Sequence, residues 1–135
     1  METQELQIDS KTEELNAVES LVDSVCTEFK INEDYYGNIL IALTEAVTNA
    51  IQHGNKYDPA KKIGVQFQSS DTEIKFVVKD QGTGFDFDNL PDPTDPQNIE
   101  KPHGRGIYLM KHLADKVEFS DEGRSVELNF SILAN

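Results

Sequence analysis

The sequence predicts an α+β fold: a two-layer α/β sandwich whose mixed, mostly antiparallel sheet is covered on one face by three helices. Three observations predict it. Residues 10–30 and 33–54 place apolar side chains three and four apart, the period of a helix with one buried face. Residues 63–67 with 74–78, and 117–119 with 126–132, alternate apolar and polar residues, as hairpin strands with one buried face do. Another helical period begins near residue 104, after a proline-rich stretch. One-faced helices and one-faced hairpins bury each other in two layers.

The elements follow in order. Leu6 and Ile8 alternate with polar neighbours, which gives a short strand at about 4–9. Ser10-Lys11-Thr12-Glu13 reads as a capping box. It opens a helix to about Lys30 with Leu15, Val18, Leu21, Val22, Val25 and Phe29 on one face. Asn32 caps a second helix, roughly 33–54, which stops at Gly54 with Pro59 shortly beyond. Its apolar side comprises Tyr36, Ile39, Leu40, Leu43, Val47, Ala50 and Ile51. Ile63, Val65 and Phe67 then pair with Ile74, Phe76 and Val78 through a turn at 69–72.

Residues 86–102 interleave Pro91, Pro93, Pro96 and Pro102 with Asp and Asn, which excludes a regular helix or central strand. A loop this long inside a compact domain is often functional, although a plain surface connection has the same composition. Gly104-Arg105-Gly106 opens the third helix, to about Lys116, with Ile107, Met110, Leu113 and Ala114 inward. Val117-Glu118-Phe119, a turn at Asp121-Glu122-Gly123, and Val126, Leu128, Phe130 and Ile132 complete the second hairpin.

A chain of 135 residues is one domain by length, spanning 1–135. Its single cysteine, Cys26, excludes an internal disulfide and fits a reducing compartment. The N-terminus has neither a basic start nor an apolar run, and no apolar segment is long enough to span a bilayer, so a cytoplasmic location is expected. The formal net charge is −13, which disfavours nucleic acid and anionic membranes and suits a basic or mixed-charge protein partner. A polyanionic ligand must then be held by backbone N–H groups, a helix N-terminus or a divalent metal.

Three segments carry candidate chemistry. Glu45, Asn49 and His53 lie four apart and stack along the side of the second helix opposite its apolar stripe. A carboxylate, an amide oxygen and an imidazole in a row can position a metal and a phosphate; a solvated polar face presents the same residues. Asp80-x-Gly82-x-Gly84 follows a strand directly. Its carboxylate can accept from an exocyclic amine such as that of adenine, with glycines admitting a flat ring, or the segment is a bare turn. Gly104-Arg105-Gly106-Ile107 brings the free N–H groups and positive dipole of a helix start to phosphate oxygens, or simply caps the helix.

In succession these motifs resemble the Bergerat-fold, histidine-kinase-like ATPases. Within them, Glu45-Ala46-Val47-Thr48-Asn49-Ala50 with His53-Gly54, and Gly104-Arg105-Gly106-Ile107-Tyr108-Leu109-Met110, are similar to the bacterial anti-sigma-factor serine kinases. The resemblance covers essentially the whole chain. It implies ATP and Mg²⁺ as cofactors, Glu45 as the general base toward a serine hydroxyl, and Asn49 as the magnesium ligand. It places His53 near the phosphates, Asp80 with Gly82 and Gly84 at adenine, and residues 86–103 as a lid. Gly104, Arg105, Gly106 and Ile107 then lie at the phosphates, and Ser125 stands where the superfamily often has a threonine near adenine. It further implies a sigma factor and an anti-anti-sigma phosphorylation target as partners, and a homodimer. Two other functions fit parts of the pattern: a non-catalytic ATP-binding module acting by sequestration, and a detached histidine-kinase ATPase domain.

Overall fold

The structure, a computed structural model, describes the backbone of residues 2–84 and 102–132. Of the loop expected at 86–102, all but Pro102, which opens a helix instead, lies outside the described residues, as do all but the last two residues of the expected lid.

Strand β1 (Glu2–Asp9) leads through a short 3₁₀ turn (Thr12–Glu14) into α1 (Leu15–Glu28). The capping box does not form. Ser10 is buried, and its hydroxyl donates to the Lys61 carbonyl at 2.6 Å while accepting from Asn55 Nδ2 at 2.8 Å. A side chain committed to a contact 51 residues away cannot also cap a helix. Glu14 reaches back to the Asp9 N–H instead, at 3.2 Å.

Helix α1 ends in a Schellman closure. Ile31 N–H donates to the Cys26 carbonyl at 3.0 Å and Lys30 N–H to that of Thr27 at 3.3 Å, with Lys30 at φ 53°. Glycine occupies that conformation without the Cβ penalty. Lys30→Gly is therefore expected to stabilise the fold by about 0.5–1 kcal/mol in urea unfolding.

Helix α2 (Glu33–Asn49) starts as the sequence indicates, with Asn32 Oδ1 accepting the Asp34 N–H at 2.9 Å. It does not continue regularly to Gly54. A π-helical turn, Ala50–Gly54, follows, closed by Asn55 N–H donating to the Ala50 carbonyl at 2.8 Å.

Strands β2 (Lys62–Ser69) and β3 (Glu73–Lys79) form the first hairpin. Helix α3 spans Pro102–Leu113 and begins two residues before Gly104, because proline's missing N–H and fixed φ suit the first helical position. Strand β4 (Lys116–Ser120), a tight turn (Asp121–Gly123) and β5 (Ser125–Ser131) follow.

The sheet order is β1-β2-β3-β5-β4, and every pairing among the described strands is antiparallel. Ile63, Val65, Phe67, Ile74, Phe76, Val78, Leu128 and Phe130 point to the helical layer and are essentially inaccessible. Rings run across that face, from Phe29 at the end of α1 to Phe67 at 5.4 Å, then from strand to strand, Phe67 to Phe76 at 5.3 Å and Phe76 to Phe130 at 6.4 Å. The alternate face of β2 and β3 carries Gln66, Gln68, Lys75 and Lys79.

Because β5 inserts between β3 and β4, the end of β3 lies beside the start of β5, with Lys79 opposite Ser125. Helix α3 packs on α2. These two placements bring the ends of α2, β3 and β5 around one cleft.

Candidate functional site

The cleft opens between α2 with its π turn, the end of β3, α3, and the β4–β5 hairpin. It is partly open to solvent, and the space it encloses is small, about 30 Å³. Its apolar walls include Ala46, Ala50, Val78, Met110, Phe119 and Val126. Its polar groups are Asn49, His53, Asp80 and Arg124. Apolar walls with a few convergent polar side chains suit an aromatic ring bearing a polar edge.

Asp80 stands at one end of the cleft, held by a set of backbone contacts. Gly82 N–H donates to Asp80 Oδ1 at 2.8 Å, and Asp80 N–H donates to the Arg124 carbonyl at 2.9 Å. Next to it, the Gln81 N–H donates to Asn55 Oδ1 at 2.7 Å. The buried Asn55 amide donates in turn to Ser10 Oγ and to the Lys62 carbonyl at 3.0 Å. One buried amide thus ties the turn after β3 to the π turn and to β1. Burial pushes the Asp80 carboxyl above its ordinary range; the Gly82 N–H and Arg124 oppose that shift, while Asp121 adds to it.

The glycines beside Asp80 are required by close approach. A Cβ on Gly54 would stand 2.5–2.8 Å from the Asp80 carboxyl atoms. One on Gly82 would stand 2.0 Å from the Gly54 carbonyl oxygen. These two backbones touch because neither carries a side chain. Gly84 has φ 84° and lies against the Glu122 carbonyl, so it joins the turn after β3 to the β4–β5 turn.

Along α2, the structure brings three of the predicted residues to two surfaces. Asn49 and His53 line the cleft, and burial lowers the His53 pKa, favouring a neutral imidazole. Glu45 sits one turn earlier, half-buried and outside the cleft lining. It faces α3: a Cβ on Gly106 would lie 3.0 Å from Glu45 Oε2 and 3.2–3.3 Å from the Asn49 amide. The side of α2 that the sequence left open to solvent is therefore covered by α3, and Gly106 marks where that helix comes closest.

The remaining candidates separate. Ile107 is 3% exposed and belongs to the hydrophobic core, so its position in the motif serves packing. Gly104 lies in the first turn of α3, where backbone N–H groups lack intrahelical partners, and Arg105 follows it. Ser125 is buried but does not line the cleft; its neighbours do, Arg124 from the end of the turn before β5 and Val126 from within the strand. Arg124 and Asn55 are site residues that the sequence reading missed. A basic residue directly after the Gly123 turn and an asparagine directly after Gly54 were the available signals.

Among the described residues no three His, Cys, Asp or Glu side chains cluster in the manner of an all-protein metal site. No described helix is long and apolar enough to cross a membrane.

Residues 8–130 match the family described as the Histidine kinase-like ATPase domain. Relatives named Serine-protein kinase RsbW, from Bacillus cereus (strain AH820), Bacillus anthracis and Bacillus thuringiensis (strain Al Hakam), are each 31% identical over 129 residues, covering 90% of this chain and 80% of the relative. A crystal structure of the RsbU and RsbW domains of a Mycobacterium tuberculosis protein superposes with a TM-score of 0.62 at 11% identity. That likeness covers 97% of this chain and 31% of the other, and it supports the fold. With the cleft, the glycine contacts and the antiparallel sheet in place, the chain belongs to the histidine kinase-like ATPase family, among its anti-sigma-factor serine-protein kinases.

Proposed function

We propose that this chain is an ATP-dependent protein serine kinase and anti-sigma factor that transfers the γ-phosphate of ATP to a serine of an anti-anti-sigma protein. The observation that carries the reading is the convergence of Asn49, His53 and Asp80 on one apolar-walled cleft. Glu45 lies one turn away on the same helix.

Asp80 accepts from the exocyclic amine of adenine, which stacks between the apolar walls. The N–H groups of the first turn of α3, with Gly104 and Arg105, and the neutral His53 face the phosphates. Glu45 takes the proton of the serine hydroxyl as its oxygen forms a bond to the γ-phosphorus and the bond to ADP breaks. The Asn49 amide oxygen, which lies against Gly106, is a hard neutral ligand of the kind that suits a divalent cation keeping most of its waters. Asn49 would hold Mg²⁺ there, and the ion would supply charge compensation at the phosphates.

A phosphoserine carries about −1.5 to −2 charges, and a chain of net charge −13 repels it. The partner therefore leaves once modified, and the sigma factor is free to compete for the same surface. Residues 1–135 act as one domain in the cytoplasm, and a homodimer completes the reading. Incubation with γ-labelled ATP, magnesium and a serine-bearing anti-anti-sigma partner tests it. Label is expected on the partner's serine. Bound nucleotide without label on any partner would leave a sequestering ATP-binding module in place of a kinase.

A further inference from the structure

Asn55 and Gln81 lie outside the lining of the cleft, yet a ring of hydrogen bonds through them joins two of its walls. The Gln81 N–H donates to Asn55 Oδ1 at 2.7 Å, and Asn55 Nδ2 donates to the Lys62 carbonyl at 3.0 Å. The Lys62 N–H closes the ring by donating to Gln81 Oε1 at 2.6 Å. Asn55 also bonds Ser10 Oγ through Nδ2, and its own N–H closes the π turn on the Ala50 carbonyl. At 1% exposure, Asn55 has no water to replace a lost partner.

Each side of the ring carries a cleft residue. Asp80 directly precedes Gln81, and His53 stands two positions before Asn55. Between them the backbones of Gly54 and Gly82 press together, so closely that a Cβ on Gly82 would stand 2.0 Å from the Gly54 carbonyl oxygen. Contact at the glycines keeps the turn after β3 from coming nearer to the π turn, and the ring keeps it from moving away. Resting on the reading that the cleft holds a nucleotide, we propose that Asn55 and Gln81 are positioning residues for it: their clasp on the Lys62 backbone sets the separation of Asp80 from His53. Polar groups held at a fixed spacing bind a rigid ligand without first having to be ordered. Nucleotide affinity therefore depends on two side chains outside the cleft lining.

The test measures ATP affinity with magnesium by calorimetry, and stability by thermal midpoint, for the wild type, Asn55→Ala, Ser10→Ala and Gln81→Ala. Ser10→Ala deprives Asn55 and the Lys61 carbonyl of a buried partner, whereas Gln81→Ala removes one bond of an exposed side chain. Ser10→Ala should therefore lose more of the midpoint. In affinity the order reverses, because only Gln81→Ala opens the ring. It should bind ATP about fivefold more weakly, with Ser10→Ala within about twofold of the wild type. Asn55→Ala should lose most in both, its affinity falling by about tenfold or more. Single-turnover transfer at saturating ATP should stay within about threefold of wild type in Gln81→Ala, since Glu45 lies on the regular part of α2. Affinities that follow the midpoints, with Ser10→Ala binding more weakly than Gln81→Ala, make the ring a purely structural device and overturn the inference. So does a Gln81→Ala protein that binds ATP as the wild type does, a result that needs no folded Asn55→Ala protein. In both cases binding by the wild type leaves the nucleotide reading standing. A folded wild type without affinity for ATP removes both.

Discussion

Glu45→Ala is expected to lower phosphoryl transfer to the serine partner by about 10²–10⁴-fold, the usual contribution of a positioned general base. ATP affinity should change by less than about threefold, no more than the net worth of one weak hydrogen bond. The separation follows from position. Glu45 lies outside the cleft lining, one helical turn from Asn49, so its loss removes no wall or polar contact of the nucleotide pocket. Its carboxylate is held against Gly106 by the packing of α3 on α2. Single-turnover transfer of label reads the first quantity and calorimetry the second. Transfer within about tenfold of wild type would assign the proton to another group, and an equal loss in both measurements would make Glu45 a structural contact of α3.

Gly82→Ala should be the most damaging of the small substitutions. The added methyl would stand 2.0 Å from the Gly54 carbonyl oxygen, which belongs to backbone and has no rotamer to yield. Relief requires the turn after β3 to lift from the π turn, against the hydrogen bond between Gln81 N–H and Asn55. A loss of about 3 kcal/mol or more is expected, with a fall in midpoint of about 10 °C. Asp80 is carried on the same turn, so ATP binding should fail even in the folded fraction. Gly37→Ala supplies the control, because a Cβ there meets nothing within 4 Å: binding should be intact and stability should rise by about 0.5–1 kcal/mol, as for alanine replacing glycine inside a helix. Equal behaviour of the two variants in thermal unfolding would refute the steric account.

Periodicity carried most of the fold. The alternation of Ile63, Val65 and Phe67 with polar neighbours gave β2 and its buried face, because side chains on a strand must alternate. The stripe from Ile39 to Ile51 gave α2 and its apolar side for the corresponding helical reason. Asn32 gave the start of α2, since its side chain bonds only a few residues away. Ser10 misled for the opposite reason: its partners are Lys61 and Asn55, and a capping pattern has no information about either. The π turn after Asn49 was equally illegible, because it depends on how Asn55 and the turn after β3 meet.

The site divides along the same line. Residue types and their spacing on single elements determined Glu45, Asn49, His53 and Asp80 as candidates, since a helix or strand fixes which neighbours share a side. Only the tertiary structure decided that α3 covers Glu45, that Ile107 is core and that Arg124 rather than Ser125 reaches the cleft. Each of those outcomes depends on β5 entering between β3 and β4 and on the close approach of α3 to α2. Local periodicity follows from backbone geometry within one element, whereas the approach of two elements is set by packing of the whole core, to which every residue contributes.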